Sequence, residues 1–428
     1  MATSKNIQSE AEILKISKIR DSKILKDLNK RNSSAEISDE LESEYILNMG
    51  PQHPSTHGVL RMVLRLDGET VIKVVPELGY LHRGYEKLAE NMHYQEFIPF
   101  TDRLDYASPT SNNTGIALAI ENAFGIEAPE RAQWIRVMVS ELARISSHLL
   151  AIGSFCLDLG AFTIMLWAMV EREKLYDIFE LICGARFTTS YTRIGGVMQD
   201  ISPEAIQKIR DWLKEFPEKL GNMRKLVDRN RIFIDRVAGL GYMSKEKAIS
   251  LGVTGASLRA SGSTRDLRRD NPYLVYDKLD FDVITLNEGD CWARYMIRVM
   301  EMYESHKIIN ATIENMPSGP IILHAPKKSL PRKKKVYTKM EELIHDFMLV
   351  YDGAIPEPGE TYTAIEGPKG EMGFFIVSDG TGYPWKLKIR SPSSANLQAM
   401  PFISEGVMIS DLVACLASLD PIMGDADK

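Results

Sequence analysis

Two histidines stand four residues apart in the chemically densest stretch of the sequence, residues 48–58, which reads Asn-Met-Gly-Pro-Gln-His-Pro-Ser-Thr-His-Gly. The prolines and glycines in this stretch oppose a regular helix, so His53 and His57 are predicted to lie on a rigid loop. Metal ligation is one use for two imidazoles, but no cysteine, aspartate or third histidine lies nearby in sequence. A loop that presents both imidazoles to a ligand, and one that uses them only in its own hydrogen bonds, remain open alternatives.

The four cysteines do not have the spacing of a metal site. Cys156, Cys183, Cys291 and Cys415 are far apart, and no two of them form a C-x-x-C pair. This spacing does not fit a zinc or iron–sulfur site carried by this chain alone. Each cysteine has apolar neighbours in sequence, so we expect buried, reduced thiols and no disulfide framework.

Composition narrows the class of protein. The 428 residues carry 52 Lys and Arg against 58 Asp and Glu, a net charge of −6 that gives no electrostatic reason to expect a nucleic-acid partner. A basic stretch at residues 327–335 is interpreted as a solvated loop or a contact between subunits. No apolar run approaches the roughly 18 residues that a membrane-spanning helix needs, so membrane association is expected only through partner subunits.

The elements that position these loops change in type along the chain. Alternating apolar residues from Val59 to Leu66, a turn at 67–69 and a returning strand at 70–75 predict a β-hairpin. Apolar residues at helical spacing after Pro129 predict a long helix, and short strands are predicted within residues 361–390. Further helices are predicted at 161–181, 203–230, 291–313, 337–350 and about 403–417. This order favours an α+β fold with a central helical bundle.

The first 44 residues differ in composition from the rest. Residues 1–31 carry eight Lys and Arg against four Asp and Glu, and residues 36–44 then carry five acids. A mitochondrial presequence is rich in arginine and poor in acids, and there is no secretory signal either. We therefore interpret residues 1–44 as an unprocessed, partly helical extension of a cytoplasmic protein, which packs on a neighbouring subunit or stays mobile.

Ten motifs resemble the D subunit of bacterial NADH–quinone oxidoreductase, a family that includes the corresponding core subunit of mitochondrial complex I. In chain order they are G-P-Q-H-P-x-x-H-G at 50–58, L-H-R-G-Y-E-K at 81–87, T-D-R-L-D-Y at 101–106, D-L-G-A at 158–161, G-A-R at 184–186, G-G-V at 195–197, N-P-Y-x-V-Y at 271–276, Y-T-A-I-E at 362–366, P-K-G-E at 368–371 and V-S-D-G at 377–380. The resemblance runs from about residue 45 to the C-terminus. It implies one hydrogenase-large-subunit-like domain, with a β-hairpin region at 45–100, a helical core at 101–350 and a mixed β/α region at 351–428.

The resemblance also implies descent from nickel–iron hydrogenase large subunits, whose metal is held by R-x-C-G-x-C and D-P-C-x-x-C motifs. Here the corresponding segments are 103–108 and 420–425, with Asp105, Ser108, Ile422 and Asp425 in the cysteine positions. Two carboxylates, a hydroxyl and an alkyl group cannot replace four thiolates around a nickel–iron centre. We therefore expect neither a bound metal nor hydrogenase activity, and the resemblance implies that a quinone headgroup occupies the vacated cavity.

Roles for three residues follow from the resemblance. Reduction of a quinone takes up two electrons and two protons, and the protons need donors within hydrogen-bond reach of the two carbonyl oxygens. The resemblance implies that Tyr106 donates to one carbonyl and His57 to the other. It also pairs His57 with Asp158, whose carboxylate fixes the imidazole tautomer. When His57 gives its proton to the quinone, Asp158 loses a charged partner, and the resemblance implies that this change triggers proton pumping downstream.

Further residues are implied to bind the quinone or to lie beside the iron–sulfur cluster of a neighbouring subunit. They are His53, Arg83, Arg103, Ser108 and Arg186. Positive charge from Arg83 and Arg186 would favour the reduced cluster. Glu86, three residues after Arg83, is expected to pair with that guanidinium, and His148 is expected to be a core histidine.

The implied assembly is a hetero-oligomer, and the chain has no redox centre of its own. Its expected partners are the cluster-bearing B subunit, the C subunit of the thirty-kilodalton type, the I subunit and the H subunit in the membrane, with FMN and the iron–sulfur clusters in partner subunits. The complex is expected at the cytoplasmic face of the bacterial inner membrane, where it couples electron transfer to proton translocation. A ferredoxin- or hydrogenase-linked relative and a structural scaffold with an unused cavity remain alternatives.

One departure bears on the substrate. Many family members carry histidine two residues after the arginine of the G-A-R motif, whereas this chain has Thr188, which cannot carry charge. Asn396 likewise stands where relatives often have histidine. The loss of a cation beside the cluster lowers the cluster potential, so we expect menaquinone as the natural substrate.

Overall fold

The N-terminal region of the computed structural model, which describes residues 44–325 and 328–428, is a three-stranded antiparallel sheet. Its strands are β1 (Glu44–Met49), β2 (Arg61–Asp67) and β3 (Thr70–Glu77), with β2 in the centre. The predicted hairpin is confirmed as β2 and β3, and the alternating residues Leu60, Met62, Leu64 and Leu66 are fully buried. Strand β1 was not predicted; it pairs with β2 from Glu44 opposite Asp67 to Met49 opposite Met62.

The middle of the chain is a helical block around one long helix. Its first seven helices are α1 (Tyr85–Ala89), α2 (Ile98–Thr101), α3 (Pro109–Phe124), α4 (Glu130–Asp158), α5 (Phe162–Cys183), α6 (Pro203–Val227) and α7 (Arg231–Val237). They are followed by α8 (Lys245–Ser250), α9 (Ala256–Arg259), α10 (Leu267–Asp270), α11 (Cys291–Asn315), α12 (Lys333–Val336) and α13 (Met340–Tyr351). A two-stranded ribbon of β4 (Thr192–Arg193) and β5 (Gly196–Val197) interrupts them. Helix α4 packs against both α5 and α11.

The C-terminal region returns to strands and short helices, as predicted. Strands β6 (Gly359–Gly367), β7 (Gly370–Ser378) and β8 (Lys386–Arg390) form an antiparallel sheet that packs on α3. The last helices are α14 (Pro392–Leu397), α15 (Met400–Ile403), α16 (Ile409–Leu419) and α17 (Met423–Ala426). The mixed helix-and-sheet order is that of an α+β protein, and the helix predicted at about 403–417 is in fact the pair α15 and α16.

A buried network of ion pairs links the helical block to the C-terminal sheet. On α4, Glu141 accepts hydrogen bonds from Arg144 and Arg268, while Arg259 bridges Glu301 of α11 and Glu366 of β6. Burial alone would raise the pKa of Glu141, but the guanidinium groups of Arg144 and Arg268 hold it at about 2. Removing one partner from such a network leaves an unpaired buried charge, so the network fixes the relative positions of α4, α11 and β6.

Other predictions about the core can be checked directly. All four cysteines are buried and free, as expected. His148 is a core histidine, because its Nε2 lies 2.9 Å from Glu301 and burial lowers its pKa to about 4. In the ranges that the structure covers, no helix is both long and apolar enough to cross a membrane. The predicted extension at 1–44 lies outside these ranges, except for Glu44.

Candidate functional site

The two segments that resemble hydrogenase metal motifs lie against each other. The chain turns through residues 103–108 before α3, and residues 420–425 follow α16. A Cβ atom at Gly424 would lie 2.6 Å from the carbonyl oxygen of Arg103 and 2.7 Å from that of Leu104. Real Cβ atoms do not approach backbone so closely, so only glycine permits this contact. The fold thus brings together segments that are more than 300 residues apart in sequence.

The loop of the two histidines covers the second of these segments. His53 caps the short 3-10 helix Pro54–Thr56, where its Nδ1 accepts a hydrogen bond from the Ser55 amide at 3.2 Å. A Cβ atom at Gly58 would lie 3.1 Å from the Cγ of Met423. His57 ends the 3-10 helix in the left-handed region, with φ of 53°, which turns the chain back towards β2. The exposed His53 thus accepts a hydrogen bond within its own loop, and its Nε2 has no role in that bond.

His57 meets the C-terminal end of α4. Its Nε2 lies 2.8 Å from Oδ2 of Asp158, and the two side chains are only 14% and 13% exposed. The pairing expected between these residues is therefore present. A carboxylate at this distance fixes the orientation of the imidazole.

Tyr106 lies in a half-buried, aromatic setting. Its ring centroid is 6.3 Å from that of Phe187, which in turn is 6.1 Å from that of Tyr176 on α5. Burial raises the pKa of Tyr106 above 10, so the phenol is protonated at neutral pH. The turn after Phe187 is fixed by Ser190, whose backbone amide donates to Asp102 at 3.1 Å.

Two of the four positions compared above with hydrogenase cysteines, Asp105 and Asp425, are buried carboxylates. Burial raises the pKa of Asp105 to about 6, although Lys369 opposes this rise, and Asp425 adds to it. Burial also raises the pKa of Asp425, which accepts a hydrogen bond from the Ser393 amide at 3.0 Å. Lys369 pairs with Asp420. Arg298 also lies 3.8 Å from Asp420, so the carboxylates are held by one lysine, one arginine and backbone donors.

Ser108 and the two arginines before it have local partners. Ser108 is buried and lies 2.8 Å from the hydroxyl of Ser111. Arg103 is exposed and donates to the Pro99 carbonyl at 2.5 Å, while Arg83 reaches the Arg103 carbonyl at 3.4 Å and covers the ring of Tyr85 at 4.9 Å. Arg83 and Arg103 therefore lie on the same face, next to the segment that carries Tyr106.

The expected pair of Glu86 with Arg83 is wrong. Glu86 instead accepts a hydrogen bond from Lys388 of β8 at 2.5 Å and one from the Ile389 amide at 3.0 Å. The tertiary contact between α1 and β8 thus overrides a partner three residues away in sequence. Glu86 anchors α1 to the C-terminal sheet, and Arg83 faces outwards.

Arg186 lies three residues beyond the end of α5 and is exposed. Its guanidinium contacts Glu173 at 2.5 Å and Asp177 at 2.7 Å, and these carboxylates raise the pKa of Arg186. Glu180 lies 3.5 Å from the same guanidinium, so three acids offset its positive charge. Thr188, two residues further on, follows Phe187 directly in the chain.

Sequence reasoning missed Arg172, a buried arginine on α5. Its Nε donates to the Ser146 hydroxyl at 3.2 Å, and its guanidinium carbon lies 4.9 Å from the Tyr176 ring centroid. An arginine in a charged stretch of helix (Glu171-Arg172-Glu173-Lys174) gives no sign in the sequence that it is buried.

Together these residues can donate protons but carry no electrons. A phenol and an imidazole paired with a carboxylate are two proton donors beside an aromatic surface. Across residues 44–325 and 328–428, no three His, Cys, Asp or Glu side chains are grouped as a metal ion would need.

Comparison with known proteins gives consistent matches. Residues 158–428 match the family described as respiratory-chain NADH dehydrogenase, 49 Kd subunit. One of the NADH-quinone oxidoreductase D subunits of Chloroherpeton thalassium is 56% identical over 393 residues, which cover 92% of this chain and 89% of the relative. The D subunits of the Salinibacter ruber and Methylacidiphilum infernorum enzymes are 52% and 51% identical, over 91% and 92% of this chain and 87% and 95% of their own lengths.

Proposed function

The chain belongs to the family of NADH-quinone oxidoreductase D subunits, also described as the 49 Kd subunit of respiratory-chain NADH dehydrogenase, and we propose that it forms the site at which quinone is reduced. As a complex I subunit it is part of a hetero-oligomeric oxidoreductase. The observation that carries the proposal is the 2.8 Å contact between His57 and Asp158, on a loop that packs against the same short segment as Tyr106.

The proposed chemistry needs two donors on one acceptor. Tyr106 gives a proton to one quinone oxygen and His57 gives a proton to the other as two electrons arrive, so quinone becomes quinol. Asp158 holds the imidazole in place and stabilises its protonated form before transfer. After transfer Asp158 faces a neutral partner, and we propose that this change in charge is the signal that couples quinone reduction to proton translocation.

The remaining site residues have supporting roles in this proposal. Ser108, and His53 at the mouth of the loop, contribute polar contacts around the quinone, and Arg103 and Arg83 face the cluster-bearing subunit. In the structure of the single chain, three arginines are exposed: Arg83, Arg103 and Arg186. Their exposure supports a role at an interface with another subunit. Because three carboxylates already offset Arg186, we propose that its field on the neighbouring cluster is weaker than that of Arg83.

The proposal extends to the assembly. Partner subunits of the B, C and I types and the H-type subunit in the membrane surround the chain. FMN and the iron–sulfur clusters reside in partner subunits, and the membrane subunit closes the quinone channel. The complex lies on the cytoplasmic face of the bacterial inner membrane. We further propose that residues 45–428 are one domain with a hydrogenase-large-subunit-like fold and no hydrogenase activity, since Asp105, Ser108, Ile422 and Asp425 provide no thiolate.

Menaquinone is the proposed natural substrate. A cation about 4 Å from a cluster is worth on the order of 4 kcal/mol at an effective dielectric of 20. At about 2.3 kcal/mol per 100 mV, a histidine replaced by Thr188 lowers the cluster potential by about 100 mV or more. A donor of lower potential suits an acceptor of lower potential. Asn396 stands where relatives often have a second histidine. It is buried and hydrogen-bonded to the Thr254 amide and the Lys369 carbonyl, and its amide side chain does not titrate.

A photoreactive quinone analogue tests the location of the site. In the complex purified through a tag on this chain, we expect labelling at residues 53–58, 103–108 or 420–425, with protection by excess quinone. Labelling confined to other subunits would contradict the proposal. Co-purification of a flavin-containing, NADH-oxidising subunit is also expected, and its replacement by a ferredoxin-oxidising subunit would favour the ferredoxin-linked alternative.

A further inference from the structure

Arg172 is buried without an acidic partner at the wall of the proposed site. It is 8% exposed, and its contacts are the Ser146 hydroxyl at 3.2 Å and the face of the Tyr176 ring at 4.9 Å. In the part of the chain that the structure describes, it forms no ion pair with a carboxylate. The acids on either side of it in sequence are engaged elsewhere, Glu171 with Lys174 at 3.0 Å and Glu173 with Arg186 at 2.5 Å.

Such an arrangement is costly unless the charge has a use. Buried charges in proteins are normally paired, because removing an ion from water is strongly unfavourable. Burial lowers the pKa of Arg172, because withdrawing the guanidinium from water disfavours its charged form. A guanidinium that rests on a ring face and donates from Nε to one hydroxyl still has its terminal N–H donors to offer, so it can stabilise negative charge that forms only during a reaction.

Tyr106 is the group on which such charge would form. The ring of Tyr176, against which Arg172 stacks, contacts Phe187, and Phe187 contacts Tyr106. Arg172 is close enough for its charge to lower the pKa of Tyr106, against the larger effect of burial and against Asp105 and Asp420, which raise it. Among the charged groups that act on this phenol, Arg172 is thus the one that favours the phenolate.

We propose that Arg172 is a positioning residue of quinone reduction, whose guanidinium stabilises negative charge on the Tyr106 oxygen while the phenol proton moves to the quinone. In this step the O–H bond of Tyr106 breaks and an O–H bond forms on the quinone oxygen. The quinone takes two electrons from the neighbouring subunit's cluster and a second proton from His57, and water later returns a proton to the phenolate. The inference rests on the proposed function.

The first test compares three variants in the assembled complex. Arg172→Met removes the charge, and we expect kcat for NADH:quinone turnover to fall about tenfold to a hundredfold. This is less than the loss of a direct oxyanion donor causes, because Arg172 acts on Tyr106 from behind the Tyr176 and Phe187 rings. KM for quinone should stay within about twofold, because Arg172 does not touch the quinone. Arg172→Lys keeps the charge and should retain at least about a third of kcat. Lys174→Met, on the same helix but paired at the surface, is the matched control and should be unchanged.

Assembly is checked by NADH oxidation with ferricyanide, which bypasses the quinone. If Arg172→Met does not assemble, Arg172→Lys carries the test, because a tenfold loss with the charge kept would overturn the proposal. Normal quinone turnover in an assembled Arg172→Met complex would also overturn the proposal.

A double-mutant cycle separates electrostatic action through Tyr106 from a structural role. In a Tyr106→Phe background there is no phenolate to stabilise, so adding Arg172→Met should lower kcat by less than about twofold. Two independent losses that multiply would overturn the proposal. If Tyr106→Phe alone left turnover unchanged, the proposed function would fail at Tyr106. If only the Arg172 variants were normal, the role of Tyr106 would stand and this inference would fail.

Discussion

Replacing Asp158 by asparagine keeps the shape of the side chain but removes the charge that faces His57. Nε2 of His57 and Oδ2 of Asp158 are 2.8 Å apart, and both side chains are mostly buried. At an effective dielectric of 20 this distance corresponds to about 6 kcal/mol of Coulomb attraction, much of which is offset by the cost of withdrawing both groups from water. A net contribution of about 2 kcal/mol is typical of a charge-assisted hydrogen bond, so we expect Asp158→Asn to slow quinone reduction about thirtyfold.

The assay is NADH:quinone turnover of the assembled complex, normalised to NADH:ferricyanide activity. Asp200→Asn is a matched control, since Asp200 pairs with Arg131 at the same 2.8 Å distance. Arg131 is near the other end of α4, about 40 Å along the helix from Asp158. The reasoning is refuted if Asp158→Asn turns over quinone as fast as the unchanged protein, or if the control is slowed equally.

Three further predictions concern the cluster, the metal and pH. With Thr188 in place of histidine, the potential of the terminal cluster should be nearly independent of pH around neutrality, and a slope near 59 mV per pH unit would show that another group has taken over. Elemental analysis of the purified chain should find neither nickel nor iron in stoichiometric amounts, and one metal per chain would contradict a vacated site. The pKa of Asp105 rises from 3.8 to about 6 on folding, so the stability that its protonated form contributes is present below pH 4 and is lost as the pH rises through 6. The side chain of Asp105→Asn cannot ionise, so this variant should be more stable than the unchanged chain at pH 8, by up to about 3 kcal/mol in the free energy of unfolding. Thermal unfolding of the chain should show a smaller gain at pH 5. An equal gain at both pH values would contradict ionisation of Asp105 as the cause.

The elements that follow from local periodicity could be predicted from the sequence. The alternation from Leu60 to Leu66 specifies a strand with one buried face, and Asp67-Gly68-Glu69 specifies the turn. The long helices from α4 onwards follow from apolar residues at helical spacing. Helix α3 was not predicted, because it is buried on most sides and its polar residues give no clear amphipathic pattern. Strand β1 was missed because its residues do not alternate cleanly: Tyr45 and Leu47 are partly exposed, and only pairing with β2 defines the strand.

The site depends on contacts that no local pattern encodes. His57 and Asp158 are 101 residues apart, and their contact was expected only through the family resemblance. Glu86 pairs with Lys388, 302 residues away, and not with a nearby arginine. Arg172 was missed for a related reason, since its sequence resembles a solvated helix face and only the packing of α5 shows that it is buried.

The central claim is that this chain delivers protons to a quinone, and Tyr106→Phe tests it most directly. The substitution removes one hydroxyl and keeps the ring that packs against Phe187. The complex should assemble and oxidise NADH normally with ferricyanide, while quinone reduction falls by one to two orders of magnitude, about 2–3 kcal/mol. Quinone turnover near that of the unchanged protein would contradict the account.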